Sequence, residues 1–198
     1  HRMSVRYGLF IQSIPNTQGN GTNTAEVSVN FEDRMDTFSA QLISTFGANK
    51  INEFRVGRNK RDNPNTYETN TSNVFGPRVT IPGVVSLGGA DRTDSEFVEE
   101  TYQVADAFTM MSGRHTIKFG GDAQFIRHLE TGSIQQTYTF PTIAAYQAAL
   151  SGTNPLGYTS YAEQVGDPTT EYKMKHYSLY VQDDFRVSPT FKLLYGLR

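Results

Sequence analysis

The sequence contains no cysteine, which removes disulfides and thiolate metal ligands from consideration. Tryptophan is absent too, and that weakens an interface-belt reading built on indole rings. No apolar run approaches the roughly 18–20 residues of a transmembrane helix. No signal peptide opens the chain. It begins His1-Arg2-Met3 and closes on Leu197-Arg198 within strand-like sequence. Both ends are therefore expected to be cut from a longer protein, and missing targeting signals then carry no information. There is no excess of either charge: 18 Lys and Arg face 20 Asp and Glu, for a net charge of −2. A nucleic-acid partner is not expected without a basic stripe. Hydrophobic residues are 37% of the chain, low for a packed soluble core.

Aromatic residues are plentiful, with 11 Tyr and 13 Phe. The pairing of few apolar residues with many rings suits strands that are oily on one face only. Period-two alternation dominates the sequence and speaks against disorder. Met3, Val5, Tyr7, Leu9 and Ile11 alternate with polar or glycine neighbours, apart from Phe10. Successive strand side chains point to opposite faces, so this is one apolar face and one polar face. Residues 24–31 repeat the pattern through Ala25, Val27, Val29 and Phe31. From 36 to 46 the apolar parity moves to Phe38, Ala40, Leu42 and Phe46. Such a change implies a bulge or break, expected at Glu32-Asp33-Arg34.

Hairpins are expected at about 36–60, 97–128 and 173–198. In the second, Val98, Tyr102, Val104, Phe108 and Met110 share a face, as do Ile117, Phe119, Ala123 and Phe125. In the third, Tyr177, Leu179, Val181, Phe185 and Val187 do so, followed by Phe191, Leu193, Tyr195 and Leu197. Short turns fall at 47–50, 112–114 and 188–190. Long polar connections fall at about 12–23, 61–95 and 130–172. Compact soluble domains rarely repeat such long connections. Outer-membrane barrels have short periplasmic turns and long extracellular loops. The expected fold is all-β: an antiparallel up-and-down meander, a partial segment of a large transmembrane β-barrel. One short loop helix is expected near 142–150, started by Pro141 and ended by Gly152, with Ile143, Tyr146 and Leu150 on one face.

Three segments carry a family resemblance. They are Ile51-Asn52-Glu53-Phe54-Arg55-Val56-Gly57, Gly113-Arg114-His115-Thr116-Ile117-Lys118-Phe119-Gly120-Gly121-Asp122, and the run from Tyr177 to Pro189 that continues to Leu194-Tyr195-Gly196-Leu197-Arg198. From about residue 36 onward the chain resembles the TonB-dependent receptor barrels of the Oar-like group, which often carry a carboxypeptidase-regulatory-like domain. The resemblance implies a plugged barrel of about 22 strands, of which this chain supplies some seven or eight. It implies residence in the outer membrane, lipid around the barrel, and a plug and remaining wall within one protein. It implies substrate uptake energised through TonB. The plug, the TonB box and the aromatic C-terminal strand end of that family are not in this sequence.

No catalytic, cofactor-binding or metal-ligating set is expected. Asp183-Asp184 and Glu99-Glu100 are neighbours on strands, so each pair splits between faces and cannot share a proton. Asp183 falls on the apolar parity, which places it at a bulge or at the headgroup rim, where a carboxylate is less costly. His1, His115, His128 and His176 lack metal-ligand spacing; His115 is expected to bond locally at its turn. Gly120-Gly121 lacks the phosphate-loop pattern and marks a bend or a close backbone approach. Loop rings Tyr67, Phe75, Tyr158 and Tyr161 are the better ligand candidates, with the ligand open. Two other architectures stay open: a complete eight-stranded barrel with a structural or adhesive role, and a soluble sugar-binding β-sandwich.

Overall fold

The computed structural model describes residues 1–17, 21–67, 76–88, 95–132 and 135–198. Seven long strands dominate it: β1 (Arg2–Ile14), β2 (Val29–Phe46), β3 (Lys50–Tyr67), β6 (Ser95–Ser112), β7 (His115–Thr131), β10 (Thr169–Ser188) and β11 (Phe191–Leu197). Between them lie the short strands β4 (Arg78–Ile81), β5 (Val85–Leu87), β8 (Gln136–Thr139) and β9 (Ser160–Glu163), and one helix, α1 (Ile143–Leu150). The long strands form one sheet in the order β1-β2-β3-β6-β7-β10-β11. Every pairing in it is antiparallel, which is the expected meander.

The registers align the apolar residues into one outward band. Tyr7 pairs with Phe38, Val56 with Val104, Val104 with Ala123, and Ala123 with Tyr177. These side chains stay uncovered: Leu179 is 79% exposed, Leu197 77% and Tyr7 62%. A soluble sandwich would have sealed such a face against a second sheet. Here the fully buried hydrophobic residues among those described are few, and Val79, Ile81 and Phe140 sit in the loops, not under the long sheet. Only a hydrocarbon solvent makes that arrangement stable. It also demands that strands satisfy their backbone groups by pairing.

Two corrections to the sequence reading have one physical cause. No bulge lies at Glu32-Asp33-Arg34: the β1–β2 register runs unbroken from Arg2 opposite Ile43 to Ile14 opposite Phe31, and the β2–β3 ladder, interrupted at Glu32 and Asp33, resumes in phase from Arg34 opposite Asp62. Residues 24–31 are not one strand either, since Ala25–Val27 is a 3-10 turn and β2 starts at Val29. The parity changes because β2 leaves the oil. Its outward row passes from Leu42, Ala40 and Phe38 to Asp36, Arg34 and Glu32, while its inward row gains Met35, Phe31 and Val29. Val29 is only 4% exposed. The face that must be apolar inverts once water replaces lipid outside.

The same overshoot lengthens the hairpins. β2, β3 and β6 each hold 18 residues and β10 holds 20, against the roughly 9–11 that cross a bilayer when tilted. The surplus lies on the long-loop side, so β3 runs on to Tyr67 and β10 already begins at Thr169. The upper edge of the apolar band stands higher on β1, at Ile11, than on β10, where Tyr177 is level with Val5.

The short rim is made by tight turns. In the β6–β7 hairpin Ser112 pairs with His115, leaving two loop residues. Gly113 takes a φ of 59° and Arg114 does not share it, the primed pattern that matches strand twist. In the last hairpin the register shifts between Arg186 and Ser188. Gly120 and Gly121 are close-approach positions, as expected. A Cβ on Gly121 would come within 2.7 Å of Leu179 Cδ2 and 2.8 Å of the Ser178 carbonyl.

That crowding sets a prediction. In the full-length protein, Gly121→Val should lower the denaturant midpoint in detergent by the equivalent of about 1–3 kcal/mol, the usual penalty of overpacking. An equally bulky change at the outward neighbour Ala123 should be milder. Equal stability of Gly121→Val and wild type would contradict the packing described.

Candidate functional site

The three long connections are tied together into one cap. β4 and β8 pair in parallel, joining the β3–β6 loop to the β7–β10 loop. β5 and β9 flank them in a four-stranded sheet ordered β5-β4-β8-β9. No strands are expected there from the sequence, and among the described residues parallel pairing is confined to this cap. The β1–β2 loop joins as well. Thr24 N donates to the Ser86 carbonyl at 2.9 Å, Ser86 N to the Thr22 carbonyl at 2.8 Å, and Gly88 N to Glu26 Oε2 at 2.9 Å.

The cap has its own small core. Val79, Ile81 and Phe140 are buried, with Val85, Leu87, Tyr138, Ala145, Tyr146, Ala149 and Tyr158 packed on them. Helix α1 closes one side. Thr142, not Pro141, is its N-cap, accepting from Ala145 N at 3.1 Å, and Gly152 follows its end with φ of 75°. Its packed face is Ala145, Tyr146 and Ala149. The expected face is corrected accordingly, because Ile143 and Leu150 are 48% and 70% exposed. The alanines allow the helix to sit close to the rings.

A cavity of about 460 Å³ opens between α1 and the cap sheet, lined among others by Val79, Tyr138, Phe140, Tyr146, Leu156 and Tyr158. Its size and lining fall in the usual range of small-molecule sites. The rings meet edge to face: Phe140 and Tyr146 at 5.3 Å and 60°, Tyr138 and Tyr158 at 5.3 Å and 70°. Of the four rings singled out in the sequence, Tyr158 lines this cavity. Tyr161 meets Tyr138 on its flank, the rings tilted by 36° at 4.7 Å. Phe75 and the Tyr67 side chain lie outside the described residues. Tyr138 and Phe140 were missed because alternation in a four-residue strand is too short to read.

Below the cap the inward face of the long sheet is polar. Gln41 Nε2 donates to Glu53 Oε1 at 2.7 Å. Gly57 and Ala105 leave a trough of about 470 Å³ among Arg6, Ser39, Gln41 and Arg55. Nearer the cap, Arg61 grips Asp33 with two donors at 2.9 and 2.7 Å. His128 is 8% exposed, stacked on Tyr172 at 4.4 Å and met edge-on by Phe97 at 4.8 Å. Glu99 Oε2 lies 3.8 Å from its Nδ1. Glu100, by contrast, points outward to Arg58 Nε at 2.8 Å, so the Glu99-Glu100 pair is split as expected. Among the described residues no three His, Cys, Asp or Glu are grouped as metal ligands.

Asp183 sits at the rim, without a bulge: the β10–β7 register is continuous through it to Phe185 opposite His115. Two partners meet its carboxylate on the outward face. Its Oδ2 lies 2.6 Å from His115 Nδ1 and accepts from the Tyr195 hydroxyl at 2.8 Å. His115 therefore bonds across strands, not locally, because the two-residue turn brings it level with Phe185, on which its ring stacks at 4.4 Å. Its neighbour Asp184 faces inward and meets Lys192 at 3.3 Å.

A sheet with one oily and one watery face, tight turns at one rim and tied loops at the other is the wall of an outer-membrane β-barrel. The chain belongs to the outer membrane beta barrel domain family, whose model matches residues 1–198. No curated protein matches it. Among solved structures it is similar to the outer membrane transporter YddB from Escherichia coli, with a TM-score of 0.56 and 11% identity over 98% of this chain. It spans 24% of that transporter's length. At that identity the likeness shows the fold alone. The protein resides in the outer membrane.

The split of the two aspartates is testable. Asp183→Asn weakens a charge-assisted pair at the rim and should lower the urea midpoint of the full-length protein. Asp184→Asn removes only an exposed ion pair, worth little, and should leave it unchanged. Gel mobility of unheated samples reads the folded fraction; equal effects would contradict the assignment.

Proposed function

We propose that this chain is one section of the wall of a TonB-dependent outer-membrane transporter, and that its cap takes part in first capture of the substrate. The observation that carries the reading is the aromatic cavity of about 460 Å³ held by three interlocked loops above a polar inner wall. Isolated loops would have to be ordered by the ligand, at an entropic cost. Tying them to one another removes part of that cost beforehand. The lining is apolar and ring-rich, which suits a neutral ligand with flat apolar faces. The inner wall, with its exposed amides and charges, suits contact with a plug and water.

The similarity to an outer-membrane transporter supports the reading at the level of fold. The segments that resemble the Oar-like receptors support energised uptake, with the plug and the TonB contact supplied by other parts of the same protein. The chain is assigned no catalysis.

An untargeted uptake measurement tests the reading. Cells with and without the gene are grown in a complex medium, and solutes depleted from the medium are profiled by mass spectrometry, with and without a protonophore. The reading predicts at least one solute whose depletion requires both the gene and the protonmotive force, and whose depletion slows in Tyr158→Ala. Depletion that depends on the gene but survives the protonophore would contradict energised uptake.

A further inference from the structure

We infer that the outward face of β6, β7 and β10 carries a binding site for the phosphorylated headgroup of an outer-leaflet lipid. The site stands at the upper edge of the oily band. On each interior strand the last ring or aliphatic group of that band is followed, two residues on, by a charge. Phe38 is followed by Asp36, Val56 by Arg58, Tyr102 by Glu100, Phe125 by Arg127 and Tyr177 by Lys175. Along most of this belt the charges cancel within the protein. Arg34 meets Asp36 at 2.9 Å, Lys60 meets Asp62 at 3.2 Å, and Glu100 is held by Arg58 and by the Tyr102 hydroxyl at 2.8 Å.

The β7–β10 pair departs from that balance. Arg127 is opposite Lys173 and Phe125 is opposite Lys175, so three cations lie on one face within two residues of each other. Paired strands stand about 4.8 Å apart and alternate residues about 6.6 Å apart, so one tetrahedral anion is within reach of all three. Two carboxylates face them: Glu100, opposite Arg127 on β6 and already held by Arg58, and Glu171. Glu171 takes Arg127 at 2.8 Å and Lys173 at 3.6 Å. Lys175 has no ion pair among the described residues, and its side chain is exposed.

Below the cations the surface is hollow. A groove of about 180 Å³ runs between Tyr102 and Phe125 and is bordered above by Arg127, Lys173 and Lys175, with Glu100 beside Arg127. Tyr102 is 46% exposed and Phe125 39%. Rings below and cations above reproduce, on one patch, the two chemistries of a membrane lipid: acyl chain and phosphate. The patch lies on the long-loop side, the outer leaflet of an outer-membrane barrel. Its strands are interior to the sheet, with neighbours on both sides, so its outward surface is already complete. Cations in excess over their carboxylates at the edge of hydrocarbon are the usual means of holding anionic headgroups.

The test uses the purified full-length protein in neutral detergent. Diphosphorylated lipid A, the same lipid after phosphatase treatment, and inorganic phosphate are titrated against it, with native mass spectrometry counting bound molecules. Wild type should bind the diphosphorylated lipid at least tenfold more tightly than the dephosphorylated one and show no saturable binding of inorganic phosphate. Lys173→Ala combined with Lys175→Ala should abolish that preference, and Lys175→Glu should reverse it. Both variants change exposed side chains, and gel mobility of unheated samples confirms that they fold. Equal binding of the two lipids, an unchanged preference in the folded variants, or tight binding of phosphate alone would each overturn the inference.

Discussion

Hydrocarbon offers no hydrogen-bond partner to a peptide group, and each unmet N–H or C=O within it costs several kcal/mol. A chain that crosses as strands must therefore pair along its full crossing length. That requirement fixes the long antiparallel registers seen between β2 and β3 or β7 and β10. Once the backbone is paired, side chains are left with two faces and two solvents. Oil on one side and water on the other sort them at every second residue. The same sorting explains why the interior of the molecule is thin: the sheet has no second layer of its own, and its apolar contacts are with lipid. The one cluster of buried apolar side chains among the described residues, around Phe140 and Ile81, belongs to the cap, which lives in water.

Much of the sheet was legible because its rule is local. Tyr177, Leu179 and Val181 announce their face whatever strand lies beside them, and Gly113 announces its turn. The parity change before Phe38 was read correctly as a signal and given the wrong cause. A bulge and a change of solvent leave the same mark on a sequence; only the unbroken register of β1 with β2 separates them. The cap was illegible for a different reason. Its strands are three or four residues long, and β4 meets β8 across nearly sixty residues in parallel. Nothing in either segment names the other. Asp183 was flagged because it broke the pattern, yet its partners His115 and Tyr195 come from two other strands, and no spacing along the chain predicts them. The ring cluster of the cap was half seen, through Tyr158 and Tyr161, because loops carry rings for few structural reasons.

The two ends of the sheet use polar groups differently. At the tight-turn rim, a carboxylate on the oily face is tolerated because His115 and Tyr195 surround it. At the loop rim, charges follow the last rings on nearly every strand and mark where oil ends. Above that edge the wall continues in water, the inner row of β2 gains apolar residues, and the loops meet. The cap is thus held well clear of the membrane by strands longer than the crossing needs. Its position follows from strand length, and strand length is written in the sequence as alternation that persists after its parity has inverted.

The claim on which everything else stands is the two-solvent sorting of a single sheet. Single cysteines placed in turn from residue 174 to residue 182 on β10, in the full-length protein within intact outer membranes, test it directly. Each is exposed to a membrane-impermeant maleimide and to a lipid-confined spin label. The account predicts strict alternation: 177, 179 and 181 contact lipid, while 176, 178, 180 and 182 do not. Uniform labelling along the strand, or a three-to-four-residue period, would contradict it.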